Sequence, residues 1–334
     1  MARRKARIPQ GKKIQPAVKT MRFSVPIGGI NYIDLSQCAS LVNRRFYRQG
    51  LNWAVAGMSI FTNGGQGEIV ISKVPDTWVA SNAWMKGFAT WQKSVNEALD
   101  ETQSVKAKFT DFKIYMDPAH HAAGKAANLI PVDSAGNAYT TGEWDYSQVH
   151  IPTALNPASG LTDDFDIMWT GASFPGTGGA TGNDAVSLIE GYAASRGLPD
   201  IRDPNAPADA ADALGATPEN WMAAMFNENT DQTHEIVEDM LTENNKAPYP
   251  FENDGTATDT QYPGGANQAP GVEVHDAVLV TATTVGGKTS VPGTNFQGGL
   301  IKLANTIDSG QISLFLHLVP GPHRGYMCQA MQDV

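Results

Sequence analysis

The sequence predicts a mainly β protein: a single jelly roll, that is a double-sheet antiparallel sandwich, with helical insertions and a disordered basic N-terminal arm. Three observations predict it. About nine to eleven short apolar runs are bounded by Gly, Pro and Asn turns, and they do not alternate with helices as βαβ units would. One strong helical stripe lies inside that series, and one acidic, Ala- and Pro-rich block interrupts it. Finally, residues 1–48 carry eleven Lys or Arg and one acid, Asp34, although the whole chain of 334 residues has a net charge of −10. A basic arm on an acidic body follows from that split.

Residues 1–20 hold seven bases and neither an acid nor an aromatic. They bury too little apolar surface to offset ordering entropy, which predicts a disordered arm over 1–20. The jelly-roll domain is assigned to 21–197 and 261–334, and an acidic helical insertion to 198–260. MRFSVPI and INYIDL read as strands around Gly28-Gly29, with the faces of the second left open. A helix over 35–46 follows, with Asp34 as N-cap and Gly50 as stop. LNWAVAGMSIFT and GEIVISKV are strand-like, and Asn63-Gly64-Gly65 between them predicts a hairpin.

The clearest helix covers roughly 79–102, where Trp84, Phe88, Trp91, Val95 and Leu99 fall on one face. Gly87 is expected to weaken it by up to ~1 kcal/mol relative to Ala. KFTDFKIYMD alternates as a half-buried strand ending at Pro118. Further strands are read in EWDYSQVHI, DFDIMWTGA, DAVSLIEGYA, VEVHDAVLVTATT, GGLIKLAN and QISLFLHLV. Between 190 and 260 there are 15 acids and 3 bases, with Thr217-Pro218 opening one helix and Thr230 capping another.

Function classes narrow by elimination. Cys38 and Cys328 are too far apart in sequence for a metal motif and imply free thiols rather than a disulfide framework. Neither a bilayer-spanning apolar run nor a secretory h-region is present, so no membrane insertion is expected. A mitochondrial presequence is a rival for the Arg-rich start, but Pro9, Gly11 and Pro16 break any amphipathic helix there. HEIVED carries Glu238 where a zinc-protease helix needs a second His. His120-His121 reads as a polar loop, because adjacent side chains diverge. The Gly-rich runs 63–67 and 171–182 lack phosphate-loop spacing, and no GxSxG occurs.

Two site readings remain. Arg3, Arg4, Lys5, Arg7, Lys12, Lys13 and Lys19 match phosphate charge on a flexible segment that reads no bases. A nuclear-localisation signal or a solvated tail would use the same residues. Asp163, Asp164 and Asp166 are candidates for a Ca²⁺ at a subunit interface, set against plain solvated strand-end acids. No other cofactor is expected. The alternative to a structural protein is a β-sandwich carbohydrate-active enzyme with a basic localisation tail. It would draw on Glu143, Asp145, Asp164 and Asp166 beside Trp residues in a cleft.

Three segments together carry a family resemblance: DLSQCASLVNRRFYRQG (34–50), ISKVPDTWVASNAWMKGFATWQK (71–93) and NKAPYPFENDG followed by QYPGG (245–265). They cover about a fifth of the chain. The chain resembles the capsid proteins of small Rep-encoding single-stranded DNA viruses, of the bacilladnavirus-like and smacovirus-like groups alike. These are in turn similar to nodavirus-like jelly-roll capsids. The resemblance implies a non-enzymatic subunit that assembles with itself into an icosahedral shell. It implies a viral genome, single-stranded DNA, held without sequence specificity by the arm cations, and a receptor on the host surface that it does not identify. It implies a virion location, with assembly in the host cell and its nucleus. Arg44, Arg45 and Arg48 then either face the lumen or form ion pairs within the fold.

Overall fold

A computed structural model of the chain describes residues 16–100, 111–152, 162–171, 180–196, 271–281 and 285–331. The protein is mainly β, built on antiparallel sheets. Strands β1 (Thr20–Val25), β2 (Gly29–Asp34), β3 (Leu51–Thr62) and β4 (Gly67–Lys73) come first. Strands β5 (Gln148–Pro152), β6 (Thr162–Met168) and β7 (Asp184–Ser187) lie mid-chain. Then come β8 (Glu273–Val280), β9 (Lys288–Phe296), β10 (Leu300–Asn305) and β11 (Ile312–Leu318), with short β12 (Pro320–Gly321), β13 (Gly325–Tyr326) and β14 (Cys328–Ala330). The helices are α1 (Leu35–Asn43), α2 (Trp78–Asp100), α3 (Pro118–Ala123) and α4 (Leu188–Arg196).

One sheet runs β1-β11-β3, with β9 on the far side of β3 and β14 beside the start of β3. The second runs β2-β10-β4-β8. Both feed one core: Phe23, Trp53, Phe296 and Leu314 from the first meet Ile33, Ile71 and Ile301 from the second. The strict alternation of β11 shows why. Ile312, Leu314, Leu316 and Leu318 are buried, while Ser313, Phe315 and His317 between them are partly open, the pattern of a sheet with one wet face.

Several expectations change. Asn63-Gly64-Gly65 does not close a hairpin, because β3 and β4 belong to different sheets. The loop crosses between the sheets beside the β10–β11 loop, which crosses the same way. Asn63 N–H donates to Gln311 O at 3.1 Å and Gln66 N–H to Asp308 Oδ1 at 2.9 Å, so the backbone is satisfied loop to loop. Gly65 has φ +84°, and a Cβ there would lie 2.2 Å from Ser309 O. Helix α1 stops at Arg44, which caps it in the left-handed conformation at φ 51°, and not at Gly50. Asp34 is its N-cap, as the sequence indicates, accepting from Ser36 and Gln37 N–H. Gly50 instead makes room for Trp84, whose Cη2 would be 2.3 Å from a Cβ.

KFTDFKIYMD is not a half-buried strand over its described part. Phe112 through Met116 are all buried, held by Gln49, Ser147 and β6 rather than by one sheet partner. DAVSLIEGYA is strand and then helix, β7 into α4. Strand β9, KTSVPGTNF, has no apolar alternation in the sequence. It is an edge strand on β3, where Pro292 is tolerated.

Lys73 at the end of β4 pairs with Glu273 at the start of β8. The chain thus leaves the second sheet after Lys73 and rejoins it beside the same point at Glu273, an excursion over 74–272. Its described part packs α2, α4 and the β5-β6-β7 sheet around a second core of Trp84, Phe112, Phe165, Trp169 and Leu188. Tyr32 and Leu300 join this core from the second sheet. Gly87 lets Leu188 of α4 come within 2.5 Å of where a Cβ would sit, so the glycine that weakens α2 also permits its close packing. The block 198–260 lies outside the described residues.

Candidate nucleic-acid interface

The arm cations Arg3, Arg4, Lys5, Arg7, Lys12 and Lys13 lie outside the described residues. Lys19 does not behave as a free arm cation. Its Nζ donates to Gly325 O and sits 4.7 Å from the centre of the Tyr326 ring. Burial pulls its pKa below the ordinary lysine value. Residues 18 and 19 are rooted in the body ahead of β1. Val18 N–H donates to Asn43 Oδ1 at 3.0 Å, and Tyr326 OH donates to Val18 O at 2.6 Å. Leu318 N–H donates to Lys19 O at 2.8 Å.

The end of α1 closes over this root. Arg45 Nη1 donates to Pro16 O at 3.5 Å. Arg44, Arg45 and Arg48 are exposed, and none forms an ion pair among the described residues. Burial raises the Asp111 pKa, and the Arg48 charge nonetheless acts on Asp111 to lower it. The sequence reading missed Arg324 and His323. Arg324 takes a left-handed backbone at φ 49°, donates from Nη1 to Phe46 O, and lies 6.0 Å from the centre of the Tyr47 ring. Partial burial and the Arg324 charge lower the His323 pKa. The only sequence signal was the turn-forming run PGPHRGYM; nothing local placed it against the arm root. The result is a face where cations gather beside residues 16–19, the first described ones.

Of the acids expected to bind Ca²⁺, Asp164 and Asp166 are engaged by separate partners within the chain. Asp166 is buried, and its oxygens are taken by protein donors. His121 Nε2 and Thr181 Oγ1 reach Oδ2 at 3.0 and 2.5 Å, and Gln148 Nε2 reaches Oδ1 at 3.0 Å. Despite burial, which raises it, these hydrogen bonds leave the Asp166 pKa lowered. Asp164 is exposed and lies 2.5 Å from His150 Nδ1. The Asp163 side chain lies outside the described ones. Among the described residues no group of three or more His, Cys, Asp or Glu is disposed to hold a metal.

The histidine pair is not a surface loop. His120 and His121 are both buried on α3, which Asp117 caps, and their rings diverge. His120 stacks on Tyr32 at 4.0 Å, accepts Met116 N–H at Nδ1 and reaches Asn128 Oδ1 at 2.7 Å from Nε2. Asp117 takes Tyr32 OH at 2.7 Å and Lys302 Nζ at 2.5 Å. This polar seam joins the excursion to the second sheet.

Two carboxylates of the enzyme alternative share a cleft that Trp84 does not line. Asp145 and Asp166 line a cleft of about 340 Å³ with Tyr115 and Tyr146. Trp84 lines a different cleft, of about 350 Å³, to which no carboxylate contributes among the described residues. Glu143 is exposed and lines neither.

No family model, curated protein or solved structure matches the chain.

Proposed function

We propose that the chain is a viral coat protein, a single jelly-roll subunit that assembles into an icosahedral shell and packages a single-stranded genome through its basic arm. The observation that carries this reading is strand order. Numbered one to eight along the chain, β1, β2, β3, β4, β8, β9, β10 and β11 form one sheet in the order 1-8-3-6 and another in the order 2-7-4-5. Those orders are what two Greek keys wound together produce, as in a jelly roll. The chain changes sheet at every connection except the fourth to fifth, and that is where the excursion is inserted.

A jelly roll also serves lectins and cupins, so the fold alone selects no function. The charge division favours a shell. A net −20 over residues 49–334 repels a polyanion from most of the surface, while the arm and the exposed arginines at its root attract it on one side. Closed symmetry would gather those sides inward. Edge strand β8 carries Leu279 at 70% exposure and Val274 at 57%, apolar surface suited to a neighbouring copy.

The test is nuclease protection. Particles of the full chain should shelter nucleic acid, and deletion of residues 2–15 should leave the thermal midpoint unchanged while removing most of that protected material. Equal protection with and without the arm contradicts the assignment.

A further inference from the structure

The cleft beside the arm root combines features that neither the core nor the arm explains. It measures about 350 Å³, inside the roughly 300–1,000 Å³ range of small-ligand sites. Trp84, Phe88 and Phe112 form its apolar wall, and Arg48, His323 and Arg324 contribute the polar groups. Trp84 and Phe88 stack with centroids 5.2 Å apart and planes 12° from parallel, while Phe112 meets Trp84 edge-on at 5.8 Å. Gly50 leaves the Trp84 ring its place, since any Cβ there would overlap Cη2. Arg324 is held by its bond to Phe46 O and keeps further N–H donors. Arg48 is exposed; its charge acts on Asp111, and its backbone carbonyl accepts from Ser36 Oγ at 3.0 Å.

We propose that this cleft seats one nucleotide of a single-stranded nucleic acid, its base against the Trp84–Phe88 wall and its phosphate on Arg48 and Arg324. The inference rests on the reading of the arm as a genome-binding segment, and it adds a fixed site on the folded body. An apolar peptide would bring no anion to the two guanidinium groups, and a simple anion would leave the aromatic wall unused. A nucleotide satisfies both, in the combination of stacking platform and cationic groove that single-strand binders use. Base stacking tolerates any base, so the site needs no sequence preference. Its position fits, because Arg324 adjoins Gly325, the residue that holds Lys19 at the arm root.

The experiment uses the full chain, a labelled thymidine hexamer and a hexamer of the same backbone without bases, followed by fluorescence anisotropy. At about 0.5 M salt the arm's phosphate contacts are largely screened. There the thymidine hexamer should bind about ten-fold tighter than the abasic one, as one stacked base provides. Arg48→Ala should weaken the thymidine hexamer about ten-fold, and Phe88→Ala should abolish the base preference, with circular dichroism unchanged in both. Equal binding of the two hexamers by the wild type, or a preference that survives both substitutions, overturns the site. The arm reading is judged separately, at about 0.05 M salt. Binding there without base preference removes the cleft and keeps the arm, whereas no binding of either hexamer removes both.

Discussion

Asp34 and His120 are buried titratable groups with opposite effects on the pH dependence of stability. Burial raises the Asp34 pKa to about 6, against hydrogen bonds from Gln37, Gln49 and Ser36 and the Lys113 charge, which lower it. The folded state then holds a proton that the unfolded chain has released, so this contribution falls as pH rises from about 4 to about 6. Burial lowers the His120 pKa to about 4, with Lys302 and His121 adding to the effect and Asn128 and Asp117 opposing it. The folded state then refuses a proton that the unfolded chain accepts, so stability rises from about pH 4 to about 6.5. The two slopes offset each other. Asp34→Asn removes the falling one, and urea midpoints of that variant should rise with pH across this window more steeply than those of the wild type. Parallel profiles would show that Asp34 does not titrate as described. At Gly50 the argument is steric. Gly50→Ala should cost about 1–3 kcal/mol in urea unfolding, because the buried Trp84 ring already occupies the place a Cβ would take. A neutral result would mean that the ring shifts freely.

At the scale of elements, legibility followed the kind of force involved. Helix α1 was readable because Asp34 caps it locally, and β11 because its alternation reports one buried face. Helix α2 declared itself through the Trp84, Phe88 and Trp91 stripe. Strand β9 was not readable, since β3 supplies its hydrogen bonds and its own residues show no pattern. The β3–β4 crossing was misread as a hairpin because a Gly-rich turn signals a reversal, and only the partnered β10–β11 loop shows which sheet the chain enters. The site divides the same way. The cations of residues 1–19 are visible as composition, whereas Arg324 and His323 reach the arm root through the β12–β13 turn. That root depends on Tyr326, which donates to Val18 O and accepts from Asn43 Nδ2 at 2.7 Å. Tyr326→Phe should cost about 1–3 kcal/mol and speed hydrogen exchange at Leu318, whose amide is bound to Lys19 O. Unchanged exchange there would mean that the root is held by other contacts.

At the scale of the molecule, the net charge of −10 describes neither part of it. With Lys19 fixed to Gly325, six cations remain in residues 1–15. If all six meet phosphates of a single strand, log K should fall against log salt with a slope of about −4. A slope near zero would remove the arm as the genome-binding segment. The long excursion at Lys73–Glu273 keeps the two-sheet body intact while adding a second core. Among the described residues no strand pairs with the outer edge of β8. The proposed self-assembly would join these features, and negative-stain electron microscopy of the purified full chain tests it most directly. The account predicts closed particles of uniform diameter; monodisperse monomer at every salt concentration and pH would contradict it.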